Sequence, residues 1–232
     1  MIRRLFTEIA GVYDRMNHVL SLGLDRRWRR KAAELVRGNP RRILDLACGT
    51  GDFTFALARR FPEADIRGAD LTAAMLDIAR RKNRSPHITF LEADAENLAP
   101  LNAQSPAPEL VSCAFGFRNF PNKAKALSEV NELIAANGEL LVLEFFRPKN
   151  KALGTLTSIW VAALTALFAR GKSDAYRHLR DSMRTTLSEA EFVSLASALG
   201  FVLEDRLFLL PCCTCLRFIC KNKRSAAIDG PR

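Results

Sequence analysis

The sequence predicts an α/β fold: a doubly wound, mostly parallel seven-stranded sheet with an antiparallel C-terminal hairpin and helical cover segments. Three observations carry that expectation. Short apolar runs alternate with amphipathic stretches of helical length along the chain. One run enters a Gly-x-Gly turn, Gly49-Thr50-Gly51, where a helical stretch opens. The last two apolar runs are joined by a short turn at Pro211, which suits a hairpin better than another βαβ unit.

Taken in order, a basic helix over 24–36 precedes the first strand, 42–46, which reads Arg42-Ile43-Leu44-Asp45-Leu46. The glycine turn follows and opens a helix over 53–61. Strand 66–69, helix 73–82 and strand 88–92 continue the alternation. Strand 110–114, helix 124–136 and strand 139–144 form the next unit. Helix 189–199 leads into the closing strands 201–209 and 214–221. This divides the chain into a basic helical cover over 1–38, a main body over 39–222 with a helical insert at 150–183, and a basic flexible tail over 223–232. The cover and the insert are both expected over the carboxyl ends of the strands, where such sheets bind ligands.

With 232 residues, 48% of them hydrophobic, the chain can bury a sizeable core, which excludes intrinsic disorder, collagen and a small disulfide scaffold. The net charge of +10 is unevenly spread. Residues 1–42 hold 11 Lys/Arg against 4 Asp/Glu, residues 217–232 hold 5 against 1, and the remainder is near neutral. Basic flanks around a neutral body face an anionic surface, phospholipid or RNA, or merely aid solubility.

The six cysteines do not spell a secreted scaffold, because an Arg-rich polar start replaces any signal segment and reduced cytosolic thiols are expected. Cys212, Cys213, Cys215 and Cys220 crowd the end of the chain with no His nearby. A terminal strand of small apolar thiols explains them better than zinc, and no metal is expected. Residues 152–169 contain no charged side chain between Lys151 and Arg170. Leu153, Leu156, Trp160, Leu164 and Leu167 recur at helical spacing, so the segment reads as an amphipathic helix against core, lipid or an apolar ligand.

The chemistry starts at Asp45-Leu46-Ala47-Cys48-Gly49-Thr50-Gly51-Asp52. A dinucleotide fingerprint would set a third glycine where Thr54 stands, and the acids Asp45 and Asp52 flanking the turn suit a cation better than a pyrophosphate. Asp70 ends the second strand, where a carboxylate accepts from both ribose hydroxyls. Asp94 follows the third strand, placed for an adenine edge. A nucleoside with a positive centre and no phosphates is implied, and S-adenosylmethionine meets those requirements. Each acid taken singly is also explained as a cap of a helix or turn. Thr50, Leu71, Ala95 and Ala114 adjoin these positions and complete the expected donor contacts.

Further motifs narrow the reading. Tyr13-Asp14-Arg15-Met16-Asn17 is followed by Ser21-x-Gly23 and Trp28-Arg29; Phe115-Gly116-Phe117-Arg118-Asn119 follows the fourth strand; Leu143-Glu144-Phe145 ends the fifth; and Asp174-Ala175-Tyr176-Arg177 lies past the charge-free segment. With these the sequence resembles class I S-adenosylmethionine-dependent methyltransferases, and more closely the ubiquinone/menaquinone biosynthesis C-methyltransferases, over about residues 10–221. It departs from the family pattern at Ala114, where Ser is usual, in the loop over 100–108, and at Ala136-Asn137-Gly138 in place of Pro-Gly-Gly.

The resemblance implies C-methylation of a reduced prenylated quinone precursor, a demethylmenaquinol or a polyprenyl benzoquinol. Ring attack needs a phenol proton to leave, so the site needs groups that stabilise an oxyanion. On this reading Arg118 lowers the phenol pKa through a water, Asn119 orients the ring, and Tyr13 and Tyr176 hydrogen-bond the substrate. The alternatives are an ion-pair role for Arg118 and ordinary packing for the tyrosines. Trp160 and its helix then line a groove for the prenyl tail, and the basic N-terminal arm holds a cytoplasmic enzyme at the inner face of the membrane. A homo-oligomer is left open. A nucleic-acid substrate is disfavoured: Phe117-Arg118-Asn119-Phe120 is not the Asp/Asn-Pro-Pro-aromatic element of amino-methylating DNA enzymes, and Pro211-Cys212 lies in the wrong place for a cytosine nucleophile. RNA or another small molecule as the methyl acceptor, and a non-catalytic assembly subunit that keeps the fold, are the remaining rivals.

Overall fold

Apolar runs without alternation must be covered on both sides, and here they become the inner strands of one sheet. The computed structural model describes residues 2–102, 106–148, 159, 181–182, 185–210 and 213–221. Strands β1 (Arg42–Leu46), β2 (Asp65–Asp70), β3 (Ile88–Glu92), β4 (Leu110–Ala114) and β5 (Glu139–Phe145) are parallel. Strands β6 (Phe201–Leu210) and β7 (Cys213–Cys220) form the hairpin, with β7 antiparallel to both β5 and β6. The order across the sheet is β3-β2-β1-β4-β5-β7-β6. Winding therefore reverses between β1 and β4, and a crevice opens at their carboxyl ends.

Three helices precede the sheet: α1 (Ile2–Ile9), α2 (Tyr13–Leu20) and α3 (Leu24–Leu35). Between the strands lie α4 (Asp52–Arg60), α5 (Ala73–Lys82), the single turn α6 (Ala99–Asn102) and α7 (Lys123–Leu133), and α8 (Glu189–Ala198) precedes the hairpin. Local chemistry sets their ends. Asn122 accepts from the Lys125 amide at the start of α7, and Ser188 and Glu191 form a reciprocal capping box on α8. Helix α7 stops three residues before the expected 136, because the Ala135 amide turns to the Pro108 carbonyl (2.8 Å) and Asn137 takes a left-handed φ of 59°.

Two cores sandwich the sheet. Leu44, Leu127, Val130, Leu140, Phe192 and Phe218 pack on one face. Ile43, Trp28, Leu57, Phe61, Leu141 and Leu143 pack on the other, under α3 and α4. Burying a side chain of this size is worth about 1.5–3 kcal/mol, so these faces hold the layers together. A third cluster of Ile9, Ala10, Met16 and Met75 fastens the N-terminal segment to α5. Cys213, Cys215 and Cys220 are buried in β7. Residues 152–169, Trp160, Tyr176 and Cys212 lie outside the described residues. Among the described residues, no helix is long and apolar enough to cross a membrane, and no group of three His, Cys, Asp or Glu is set to hold a metal.

Candidate active site

The loop after β1 is built by backbone conformations that most residues avoid. Gly49 and Gly51 have φ of 56° and 86°. A Cβ at Gly51 would lie 2.9 Å from the Phe55 ring, so the position needs glycine for both conformation and space. Ala47 (φ 51°) and Phe115 (φ 60°), at the ends of the adjacent strands β1 and β4, are left-handed without being glycine. Such strain costs about 1–3 kcal/mol and gathers at functional sites. Gly116 lets the two turns meet, since a Cβ there would stand 2.7 Å from that of Ala47.

Asp70 closes β2 beside this loop. Its Oδ2 accepts from the Gly49 amide (2.9 Å) and its Oδ1 from the Thr72 amide (2.8 Å), which fixes the carboxylate plane. Burial raises its pKa, and the two amides oppose that by favouring the charged form. A cavity of about 560 Å³ opens in front of it. Gly49, Asp70, Leu71, Asp94, Ala95 and Ala114, at the ends of β1 to β4, line it. Tyr13, Phe6, Met75, Phe115, Asn119 and Phe120 line it too, and most of these are apolar. The Oδ1 of Asp94 accepts from the Glu96 amide (2.8 Å), which holds its turn at the cavity wall.

Four residues expected to touch a ligand stand behind this wall instead. Asp45 is fully buried in mid-strand, where Thr54 Oγ1 (2.6 Å) and Ser112 Oγ (2.7 Å) donate to it. Burial pushes its carboxyl up to about 6 despite those bonds. Alternation along β1 turns its side chain into the layers, so Asp45 braces the loop from beneath. Thr50 is 2% exposed, with its hydroxyl donating to Asp14, and Gly51 is absent from the lining. Both shape the turn.

The fourth correction concerns Arg118. Its side chain is 7% exposed; Nη1 lies 2.7 Å from Glu144 Oε1 and 2.6 Å from the Phe115 carbonyl oxygen. Burial alone would lower its pKa, but the Glu144 carboxylate beside it raises it above the ordinary guanidinium value. The Arg118 amide also donates to Glu144 Oε2 (3.1 Å). This pair ties the turn after β4 to the end of β5, so Arg118 does not line the cavity. Its neighbour Asn119 does, with Nδ2 3.4 Å from the Phe115 carbonyl oxygen. The Phe115 ring stacks on Phe145 with centroids 5.0 Å apart, and the guanidiniums of Arg29 (5.5 Å) and Arg118 (5.9 Å) sit over it.

Sequence reasoning missed the clasp over the loop. Lys82 Nζ lies 2.9 Å from Asp52 Oδ1, 3.1 Å from the Thr50 carbonyl oxygen and 2.6 Å from Asp14 Oδ2. The charge of Asp52 is therefore met by Lys82, and no positive ligand is needed to explain it. Asp14 was visible inside the Tyr13–Asn17 motif; Lys82 carried no local signal. Arg3 also lines the cavity and pairs with Glu92.

The arrangement can hold a nucleoside. A fixed carboxylate at a strand end faces ribose hydroxyls, the Asp94 turn offers an edge for a base, and a glycine turn lets backbone come close. The apolar remainder suits an aromatic second substrate.

Known proteins are similar to this chain. A model of the ubiE/COQ5 methyltransferase family matches residues 1–206. The demethylmenaquinone methyltransferase of Thermus thermophilus is 40% identical over 209 residues, covering 88% of this chain and 94% of that protein. The ubiquinone/menaquinone biosynthesis C-methyltransferase of Syntrophotalea carbinolica is 38% identical over 204 residues, covering 86% and 85%. Among solved structures, a SAM-dependent methyltransferase from Thermotoga maritima superposes with a TM-score of 0.66 at 17% identity, covering 94% of this chain and 99% of that one. That likeness is one of fold.

Proposed function

The chain belongs to the ubiE/COQ5 methyltransferase family, and on that premise we propose that it moves a methyl group from S-adenosylmethionine to a ring carbon of a reduced, prenylated quinone precursor. The observation that carries the reading is Asp70, held by the Gly49 and Thr72 amides in the wall of a cavity that Phe6, Phe115 and Phe120 also line.

The donor, when bound, supplies an electrophilic methyl on a sulfonium and leaves as a thioether. Asp70 holds the ribose hydroxyls, and Asp94 with Ala95 holds the adenine edge. Ala114 brings no hydroxyl to this part of the wall. Positioning does most of the work in a displacement of this kind. Phe6, Phe115 and Phe120 exclude water and give the acceptor ring a surface to lie against. Tyr13 and Asn119 provide hydrogen bonds to the ring oxygens, so charge developing on a phenol oxygen as its proton leaves to water meets donors already in place. After the methyl is bonded, the ring hydrogen at that carbon is lost as a proton and the phenol reforms, one proton being released overall. Arg118 spends its charge on Glu144, and it acts here as a positioning residue for Asn119. The acceptor is a demethylmenaquinol or a benzoquinol, reached by an enzyme resting on the membrane that dissolves it.

The test is purified protein with methyl-labelled S-adenosylmethionine and a reduced short-chain demethylmenaquinol. Label in the quinone fraction supports the reading, and label in RNA with none in quinone overturns it. Tyr13→Phe is expected to lower kcat about tenfold to a hundredfold with donor affinity kept, the value of one hydrogen bond to a charged oxygen.

A further inference from the structure

Two helices present a second feature, away from the cavity. Arg26, Arg27 and Arg30 of α3 and Arg59 and Arg60 of α4 line one groove, with Gly23 at its head. All five are exposed. Arg26, Arg27 and Arg59 have no ion pair among the described residues, Arg30 meets Glu34 only at 3.7 Å, and Arg60 lies over the Phe61 ring (4.9 Å). Glu34 is the one acid in the groove lining, and no aromatic side chain lines it.

Apolar side chains flank the head of the groove. Leu22, 66% exposed in a left-handed turn (φ 52°), and Leu24, 37% exposed, stand on either side of Gly23. Helix α3 runs down to the start of β1, so its first turn lies at the carboxyl edge of the sheet, as the cavity does. Trp28 agrees with that, packing on Phe115 and Phe145 at the ends of β4 and β5.

From this arrangement we infer that the outer face of α3 and α4 is a docking surface for an anionic phospholipid bilayer, with the arginines among the headgroups and Leu22 and Leu24 entering the interface. The inference rests on the lipid-quinol reading above and names the surface by which the protein reaches that substrate. Arginines flanking protruding leucines match a bilayer interface, charge outside and apolar atoms beneath. A single-stranded nucleic-acid track would set aromatic rings among the cations, and this groove has none.

The test is co-sedimentation of the full chain with phosphatidylcholine vesicles with and without phosphatidylglycerol. The wild type is expected to bind the anionic vesicles and to release with salt. Arg26→Glu/Arg27→Glu/Arg30→Glu is expected to lose about a hundredfold in binding, and Leu22→Ser about tenfold. Turnover of a short-chain, water-soluble quinol should stay within about twofold in both variants, which shows that they are folded. Equal vesicle binding by variant and wild type, indifference of the wild type to anionic lipid, or preference for RNA over vesicles overturns the proposal. If the wild type fails on the soluble quinol but binds vesicles in this pattern, the catalytic reading falls and the surface stands.

Discussion

Lys82 Nζ stands 2.6 Å from Asp14 Oδ2, and through this contact the helix that carries Tyr13 is fastened to the glycine turn. The same ammonium reaches Asp52 and the Thr50 carbonyl, so one cation joins the N-terminal segment, the loop and α5. The wall formed by Tyr13 and the loop that supports Asp70 are therefore closed by a shared fastening.

Replacing Lys82 by Met should loosen this clasp without touching the chemistry. The ion pairs are about one-third exposed, so each is worth about 1 kcal/mol or less. We expect donor affinity to fall about threefold to tenfold by calorimetry, with kcat within about twofold. Amide exchange over 13–20 should quicken. A large fall in kcat with unchanged exchange would show that Lys82 acts in the reaction itself.

Arg118 and Glu144 form a buried pair, with side chains 7% and 2% exposed. Arg118→Met should cost about 3–5 kcal/mol of stability, because Glu144 keeps a buried charge without its partner. Glu144→Gln on the Arg118→Met background should recover a large part of it. Urea unfolding of both singles and the double variant measures the coupling. Independent, additive effects would contradict the pairing and return Arg118 to the substrate.

Asp45 gives a pH signature. Its carboxyl is near 6 in the folded chain against 3.8 ordinarily, so the folded state binds the proton more tightly. The stability this contributes is fully present below pH 3.8 and is lost as pH rises to about 6. The change is at most about 3 kcal/mol. Asp45→Asn should flatten this part of the curve, so the stability of the wild type falls relative to the variant by up to about 3 kcal/mol between about pH 4 and pH 7. A constant difference across that range would mean Asp45 titrates normally.

Gly51→Ala forces a side chain into a left-handed backbone and against Phe55. The expected cost is about 1–3 kcal/mol, with the denaturant slope unchanged. Donor affinity should fall with it, since Gly51 and Gly49 belong to one turn. Thermal unfolding with and without S-adenosylmethionine separates the two effects.

The sequence made the sheet legible for a physical reason. Strands 42–46 and 110–114 match their observed limits because inner parallel strands are covered on both faces and carry mostly apolar residues. Strand 88–92 matches too although it is the edge strand, with Thr89 and Glu92 exposed. Helix ends were less legible, since the stop of α7 depends on the Pro108 carbonyl from another part of the chain. At the site, Asp70, Asp94 and Asn119 stand at strand ends in the sequence and Tyr13 lies in the Tyr13–Asn17 motif of the family resemblance, and all four line the cavity. Asp45 and Arg118 could not be oriented that way. Which side a residue beside a turn faces is settled by partners such as Ser112 and Glu144, distant in sequence. Lys82 was hidden for the same reason: its partners lie 30 to 68 residues earlier.

The position of β7 governs how the protein can be made. It lies between β5 and β6, although it is the last of the described strands. Until about residue 220 has left the ribosome, the edge of β5 has no partner, and Leu140 to Leu143 form a run of fully buried residues beside that edge. An unpaired apolar edge recruits other strands, so a stalled or truncated chain that ends before β7 is a sticky intermediate. The earlier strands can form first, but the sheet is sealed only when β7, the last of the described strands, slots in between β5 and β6.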